Sequence, residues 1–282
     1  MNTLTHEKRC AVVRCLVDGC SIRATTRMTG VAKNTIQKLT RELAEAVTQY
    51  SDNVLRNVKA QRVQCDEIWC FCYAKDKNLP DEMRGQPGVG SMWTWTALDA
   101  DSKLMISWKL GDRDAATAHA FMRDVQERLA NRVQLTTDGN RVYLDAVLDY
   151  FAEIDFAQLQ KLYGPGETGP ESRYSPAKCN GTKKKVIMGN PDPDHISTSY
   201  MERQNLNIRM QNRRFTRLTN AFSKKAEMLE CSLALTFFYH NFVRIHQTLR
   251  CTPAMKAGIA DRKWSIEEMV DLLPEVTHPT GD

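Results

Sequence analysis

Val63-Gln64-Cys65-Asp66-Glu67-Ile68-Trp69-Cys70-Phe71-Cys72-Tyr73-Ala74 is the stretch on which the reading of this chain turns. Upstream of it, apolar residues recur every three or four positions, as on amphipathic helices. Within it Val, Ile, Trp, Phe and Cys crowd together, and the period changes to that of a buried strand. Two adjacent acids interrupt the apolar run. Side chains alternate along a strand, so Asp66 and Glu67 point to opposite faces, and periodicity does not say which one faces a site.

Downstream, Met92 to Leu98 and Lys103 to Leu110 read as two further strands, separated by the turn-forming Asp99-Ala100-Asp101-Ser102 and therefore paired as a hairpin. Asp114 to Asn131 carries Ala118, Phe121, Met122, Val125 and Leu129 on one helical face. Val133 to Thr137 is a short strand, Val142 to Phe151 a helix, and Phe156 to Leu162 a strand. The order β-β-β-α-β-α is that of a ribonuclease-H-like core with a mixed sheet. Tyr163 to Asp194, rich in Gly, Pro and Lys, reads as an exposed loop or insertion. Helices are expected from Thr198 to Gln211 and from Lys224 to Gln247. A last short helix is announced by the capping box Ser265-Ile266-Glu267-Glu268 and stopped by Pro274.

Upstream, His6 to Asp18, Ile22 to Met28 (N-capped by Ser21) and Ala32 to Val47 read as three helices punctuated by Gly19 and Thr29-Gly30. In the third, Ile36, Leu39, Leu43 and Val47 step by three and four, leaving Lys33, Asn34, Thr35, Gln37, Lys38 and Arg41 outside. A short Gly-containing turn followed by a helix with a polar, basic first half matches a helix-turn-helix that enters the DNA major groove; a plain three-helix bundle is the alternative. The expected fold class is therefore α+β or α/β. A helix-turn-helix at residues 1–48 and a linker at 49–62 precede a ribonuclease-H-like mixed-sheet catalytic core with C-terminal helices at 63–248. The insertion occupies 163–195, and a tail with a short helix fills 249–282.

Composition is that of a globular protein, 42% hydrophobic and 26% charged in 282 residues, which excludes disordered and fibrous classes. No run of about 18 apolar residues or secretory layout is present, so a soluble, intracellular protein is expected. Nine cysteines lack a disulfide framework and are expected as free thiols; Cys65, Cys70 and Cys72 offer no Cys-x2-Cys pair for zinc. The net charge of +5 hides an asymmetry. Residues 1–60 hold ten Lys and Arg against five acids, residues 178–225 eleven against three, and the remainder is acidic. Two basic segments divided by an acidic one point to a polyanion touched at two places.

Three carboxylates stand where a two-metal phosphoryl-transfer site needs them: Asp66 on the first core strand, Asp138 just after the fourth, and Glu202 near the start of the helix after the basic loop. First and fourth strands are neighbours in such a core, so Asp66 and Asp138 can converge although 72 residues separate them. Each has an ordinary alternative: Asp138 in Thr136-Thr137-Asp138-Gly139-Asn140 fits a turn, and Glu202 fits the return arm of a capping box begun by Ser199. Two Mg2+ ions, with Mn2+ able to substitute, suit such hard oxygen ligands. Asn205, Arg209 and Arg213 follow Glu202 by three, seven and eleven residues and are expected on its face, with Arg214, Arg217, Lys224 and Lys225 extending a phosphate-binding track; a solvated basic helix is the alternative.

With these residues in view, the chain resembles the bacterial transposases of the insertion sequence one family, which are DDE-type and ribonuclease-H-like. The matching segments are Cys65-Asp66-Glu67-Ile68-Trp69, Ala97-Leu98-Asp99-Ala100-Asp101-Ser102-Lys103 with Gly111-Asp112-Arg113, Thr137-Asp138-Gly139, Glu202-Arg203-Gln204-Asn205-Leu206-Asn207-Ile208-Arg209, and Phe222-Ser223-Lys224-Lys225. The resemblance implies catalytic Asp66, Asp138 and Glu202, with Arg209 as the basic residue two turns on. It also implies Mg2+, terminal inverted repeats as bound DNA, and a bacterial cytoplasmic, nucleoid-associated setting; a homo-oligomer on DNA is expected from the mechanism alone, since two ends must be acted on. No membrane or small-molecule substrate is expected. Unlike familiar members, the sequence shows no zinc-finger-like cysteine motif ahead of the helix-turn-helix. A transcription regulator with an inactive core and a structure-selective nuclease of the same fold are the competing classes.

Overall fold

The structure, a computed structural model, describes residues 4–164, 179–216 and 219–274. Its strands are β1 (Arg62–Cys72), β2 (Gly90–Asp99), β3 (Met105–Gly111), β4 (Gln134–Asp138), β5 (Asp155–Tyr163) and β6 (Cys179–Met188). They form one six-stranded sheet of order β3-β2-β1-β4-β5-β6. β2 and β3 pair antiparallel, β4 lies parallel to both β1 and β5, and β6 returns antiparallel to β5. The hairpin and the adjacency of first and fourth strands thus form as the sequence leads one to expect. Parallel neighbours need long crossovers. The path from β1 to β4 includes α4 (Ala115–Arg128), and that from β4 to β5 includes α5 (Val142–Tyr150).

The chain divides into two compact units, one of Met1–Leu55, Trp69–Met92 and Leu206–Asp282, the other of Arg56–Ile68 and Trp93–Asn205. In the second unit Asp114 caps α4 by accepting from the Thr117 amide at 2.9 Å, and the helix buries Ala118, Phe121, Met122 and Val125. Trp95, Phe121, Tyr143 and Phe156 are wholly buried, and the Trp95 ring lies 6.0 Å from Phe121 and 5.2 Å from Tyr143. Burying aromatics of this size dominates the energetics of such a core.

The segment 163–194 departs from its expected loop character. Cys179–Met188 is a strand, paired with β5 from Phe156↔Met188 to Tyr163↔Cys179. The composition misleads because β6 is a sheet edge: Lys183, Lys184 and Lys185 stay exposed there, and lysines on an edge discourage further pairing. Residues 165–178 of the expected insertion lie outside the described residues.

The first unit holds α1 (His6–Val17), α2 (Ile22–Thr29), α3 (Lys33–Val54), α7 (Ala226–Phe238), α8 (Pro253–Lys256) and α9 (Ile266–Val270). α2 is capped by Ser21 and stopped by Gly30, whose φ of 70° is left-handed and suits glycine. α3 buries Ile36, Leu39, Leu43 and Val47 as the periodicity predicts, and runs on to Val54. It packs along α7, and α1 packs along α9. Tyr50 of α3 meets Phe238, Phe242 and Trp264 at ring distances of 5.8, 5.6 and 4.8 Å. The helix expected over 224–247 is shorter: α-helical bonding ends at Phe238 and one π-type turn, Tyr239–Val243, follows. Among the described residues no helix is long and apolar enough to cross a membrane.

Candidate metal centre

All residues of this site belong to the second unit, and strand register decides which of them meet. Cys65 of β1 pairs with Thr137 of β4, so Asp66 stands level with Asp138 and on the same face; Asp138 in turn pairs with Leu159 of β5. Two residues on, Lys161 shares that face. Gln64, Asp66, Asp138, Leu159 and Lys161 therefore look to one side of the sheet, and Glu67 with Gln158 to the other.

Glu67 nevertheless joins the site from that other face. Asp66, Glu67 and Asp138 each offer a carboxylate oxygen, all within 4.8 Å of one another, an arrangement able to hold a metal ion. Glu67 has a side chain only 1% exposed. Arg113 Nη2 donates to Glu67 Oε2 at 3.1 Å and to Asp138 Oδ2 at 3.4 Å, and its guanidinium lies 4.6 Å from the Trp93 ring centre. Asn140 Nδ2 donates to Glu67 Oε1 at 3.1 Å, while the Asn140 amide donates to Asp138 Oδ1 at 2.9 Å. The Asp138-Gly139-Asn140 turn thus orients two acids at once.

Crowding three acids in a half-buried place raises the cost of ionising them. Burial pushes the Asp66 carboxyl up to about 7, and the charges of Asp138 and Glu67 push the same way; the Glu67 amide and Lys161 oppose them. Burial also raises Glu67 and Asp138, against the pull of Arg113.

Glu202 arrives on α6 (Ser199–Gln211), whose first turn is fixed by a strand residue. Buried Gln64 offers Oε1 to the amides of Tyr200 and Met201 at 3.0 and 3.1 Å, satisfying two of the donors a helix start leaves open. One turn on, Asn205 Nδ2 donates to Asp66 Oδ2 at 2.8 Å. Glu202 itself is not among the three clustered acids. Its Oε1 is met by Lys161 Nζ at 2.6 Å and by the Thr198 hydroxyl at 2.7 Å.

The donor set fits a divalent cation. Three carboxylates converge with partial burial, and beside them Asn205 Oδ1 is buried without a hydrogen-bond partner among the described residues. An orphaned oxygen and acids that resist ionising are what a hard cation would satisfy.

No family model matches the chain, and no curated protein matches it. Solved structures do match. A pre-cleavage Mos1 transpososome aligns at 11% identity over 55% of this chain and 60% of that chain, with a TM-score of 0.22. A mariner Mos1 paired-end complex with Mg aligns at 12% over 83% and 79%, TM-score 0.25. A piggyBac transposase synaptic complex with hairpin DNA aligns at 10% over 97% and 71%, TM-score 0.37. The chain thus spans about 60% of the length of the first of these. Likenesses this slight carry no argument about function, which rests on the site.

The remaining residues singled out in the sequence lie elsewhere. Arg209, half-buried on α6, belongs to the first unit. Arg213 does not continue the row from Glu202, because α6 ends at Gln211: Asn212 turns the chain by accepting from the Arg214 amide and donating to Thr236 Oγ1 at 3.0 Å. Arg213 and Arg214 sit on a 3-10 turn, and the Arg214 Nε is buried without a partner among the described residues. Arg217 lies outside the described residues. Lys224 and Lys225 are exposed, Lys224 over the Phe222 ring at 4.3 Å. On α3, Lys33, Asn34 and Lys38 are exposed, Thr35 and Gln37 partly so, and Arg41 pairs with Glu227 at 2.5 Å.

Sequence reasoning left Glu67 undecided and did not single out Gln64, Asn140 or Lys161 for the site. Arg113 entered only through a family motif. Apart from the adjacency of Asn140 to Asp138, none carries a sequence signal, since each gains its role from a partner on another element.

Proposed function

We propose that this chain is a DNA transposase with a ribonuclease-H-like core. It binds the terminal inverted repeats of an insertion sequence through the helix-turn-helix of α2 and α3, and it cuts and joins DNA strands with Mg2+. The observation that carries the reading is the convergence of Asp66, Glu67 and Asp138 at neighbouring parallel strands, with α6 tied to Asp66. The strand order and the two basic segments support it.

In this reading Asp66, Asp138 and Glu202 hold the metal, with Glu67 and the Asn205 oxygen beside them. A divalent pair, when bound, activates an attacking hydroxyl and stabilises the leaving oxygen of an in-line displacement. The chain's own residues do the rest. Arg113 favours the ionised forms of Glu67 and Asp138 and aims them, Gln64 and Asn205 set α6 against β1, and Arg209 with the basic residues after it holds backbone phosphates. Water first cuts a phosphodiester at each element end. The freed 3'-hydroxyl then attacks target DNA, exchanging one phosphodiester for another.

Labelled element ends incubated with Mg2+ and target DNA test this: strand transfer is expected. Asp138→Asn should abolish cleavage and leave end binding intact, whereas a mutant that still cuts would refute the assignment. Cutting without joining would point instead to a nuclease, and binding without cutting to a regulator.

A further inference from the structure

Glu202 is held apart from the acids it is proposed to work with, and the residue holding it is Lys161. Lys161 projects from β5 on the face shared by Asp66 and Asp138. Its ammonium meets Glu202 Oε1 at 2.6 Å, and the same oxygen accepts from Thr198 at 2.7 Å. The three acids whose oxygens come together are Asp66, Glu67 and Asp138, without Glu202. The two partners of the ion pair are 31% and 40% exposed, so water, ions and phosphates reach them without unfolding.

We propose that Lys161 is a positioning residue that competes with metal for Glu202 and yields it when the ammonium moves to a phosphate of bound DNA. The part concerning DNA rests on the transposase reading; the competition with metal takes from it only Glu202 as a ligand. A lysine suits this role because its charge is a compact point on a flexible four-carbon stem, able to turn from one anion to another. A divalent cation entering among the acids repels the ammonium, and losing Glu202 leaves that charge in need of a new anion. A phosphodiester supplies it. The site would then complete its ligand set only with DNA present, which restrains metal-dependent hydrolysis elsewhere. No covalent bond changes in this exchange: one ion pair is replaced by another.

The experiment titrates Mn2+ into the full chain by calorimetry, with and without a short DNA duplex, for wild type, Lys161→Met and Glu202→Gln. Without DNA, Lys161→Met should bind Mn2+ about tenfold more tightly than wild type, or take up an additional ion. DNA should raise Mn2+ binding by wild type and leave that by Lys161→Met unchanged. Glu202→Gln, which keeps the lysine and removes its partner, should gain nothing from DNA. Coincident isotherms for wild type and Lys161→Met overturn the proposal, as does an equal DNA effect on both. Should Lys161→Met fail to fold, a DNA-driven gain in Glu202→Gln equal to that of wild type overturns it as well. Cleavage of element ends by wild type separates the two claims: without cleavage but with tighter Mn2+ binding in Lys161→Met, the transposase reading falls and the competition stands. With cleavage and coincident isotherms, the reverse holds.

Discussion

Asn205 on α6 donates its amide to Asp66 on β1 at 2.8 Å, which ties the helix carrying Glu202 to the central strand carrying the first acid. The other end of the same amide, Oδ1, is buried and has no partner among the described residues. Asn205→Ala removes both. A hydrogen bond to a charged group contributes about 1.5 to 3 kcal/mol, so Mg2+-dependent cleavage should fall by about tenfold or more, with an unchanged circular dichroism spectrum. Full activity in Asn205→Ala would remove the tie from the mechanism.

Asp66 binds its proton more tightly folded, at about 7, than its ordinary 3.8 allows once unfolded. A group raised in this way supports the fold at low pH, and the support is lost as pH rises through the folded value. The metal-free protein should therefore lose stability between roughly pH 4 and pH 7, by up to about 4 kcal/mol from Asp66 alone. Asp66→Asn should flatten that slope in thermal melts. Mg2+ favours the ionised acids, so it should raise Tm more at pH 8 than at pH 5; an equal rise at both contradicts the assignment.

Arg113 bridges Glu67 and Asp138, and Glu67 is otherwise a buried acid. Arg113→Met should destabilise the metal-free protein by about 1 to 3 kcal/mol, less than for a fully enclosed pair because Arg113 is 40% exposed. Mg2+ should restore most of the loss. Denaturant melts with and without Mg2+ decide the matter, and a loss that Mg2+ leaves untouched counts against a shared site.

Gln64 accepts from two amides of the first turn of α6. In Gln64→Leu these donors are left unpaired, which should cost about 1 to 3 kcal/mol and lower Tm by about 2 to 4 °C per kcal/mol. Gln64→Glu keeps an acceptor oxygen for both amides and should recover the stability. If Leu is tolerated as well as Glu, the cap is not what positions α6.

Lys33 and Lys38 are exposed on the first half of α3. In the proposed helix-turn-helix they meet phosphates, so each change to Ala should reduce the salt dependence of end binding by about 0.9 in slope and leave the unfolding free energy within about 0.5 kcal/mol of wild type. Unchanged slopes would place the contact elsewhere.

Much of this protein is legible in its residues. The shift from a 3.6-residue to a two-residue period at Val63, the caps at Ser21, Asp114 and Ser265, and the break at Gly30 are local matters, settled by propensity and backbone sterics within a few positions; the last helix, by contrast, ends at Val270, ahead of the Pro274 expected to stop it. Acids at 66, 138 and 202 could be noticed for the same reason. β6 was hidden because an edge strand carries the polar composition of a loop and is recognised only by its pairing with β5. The end of α6 at Gln211 is legible, but its consequence for Arg213 was hidden: past that end the chain turns at Asn212, held by Thr236 on a helix further along, and Arg213 leaves the row. The site itself divides likewise. Which acids share a face follows from register, and register joins segments 72 residues apart; that Glu67 enters from the opposite face, and that Lys161 holds Glu202, depends on contacts with no short-range trace. Periodicity reports which way a side chain points from its own backbone, and only the folded sheet decides what it meets there.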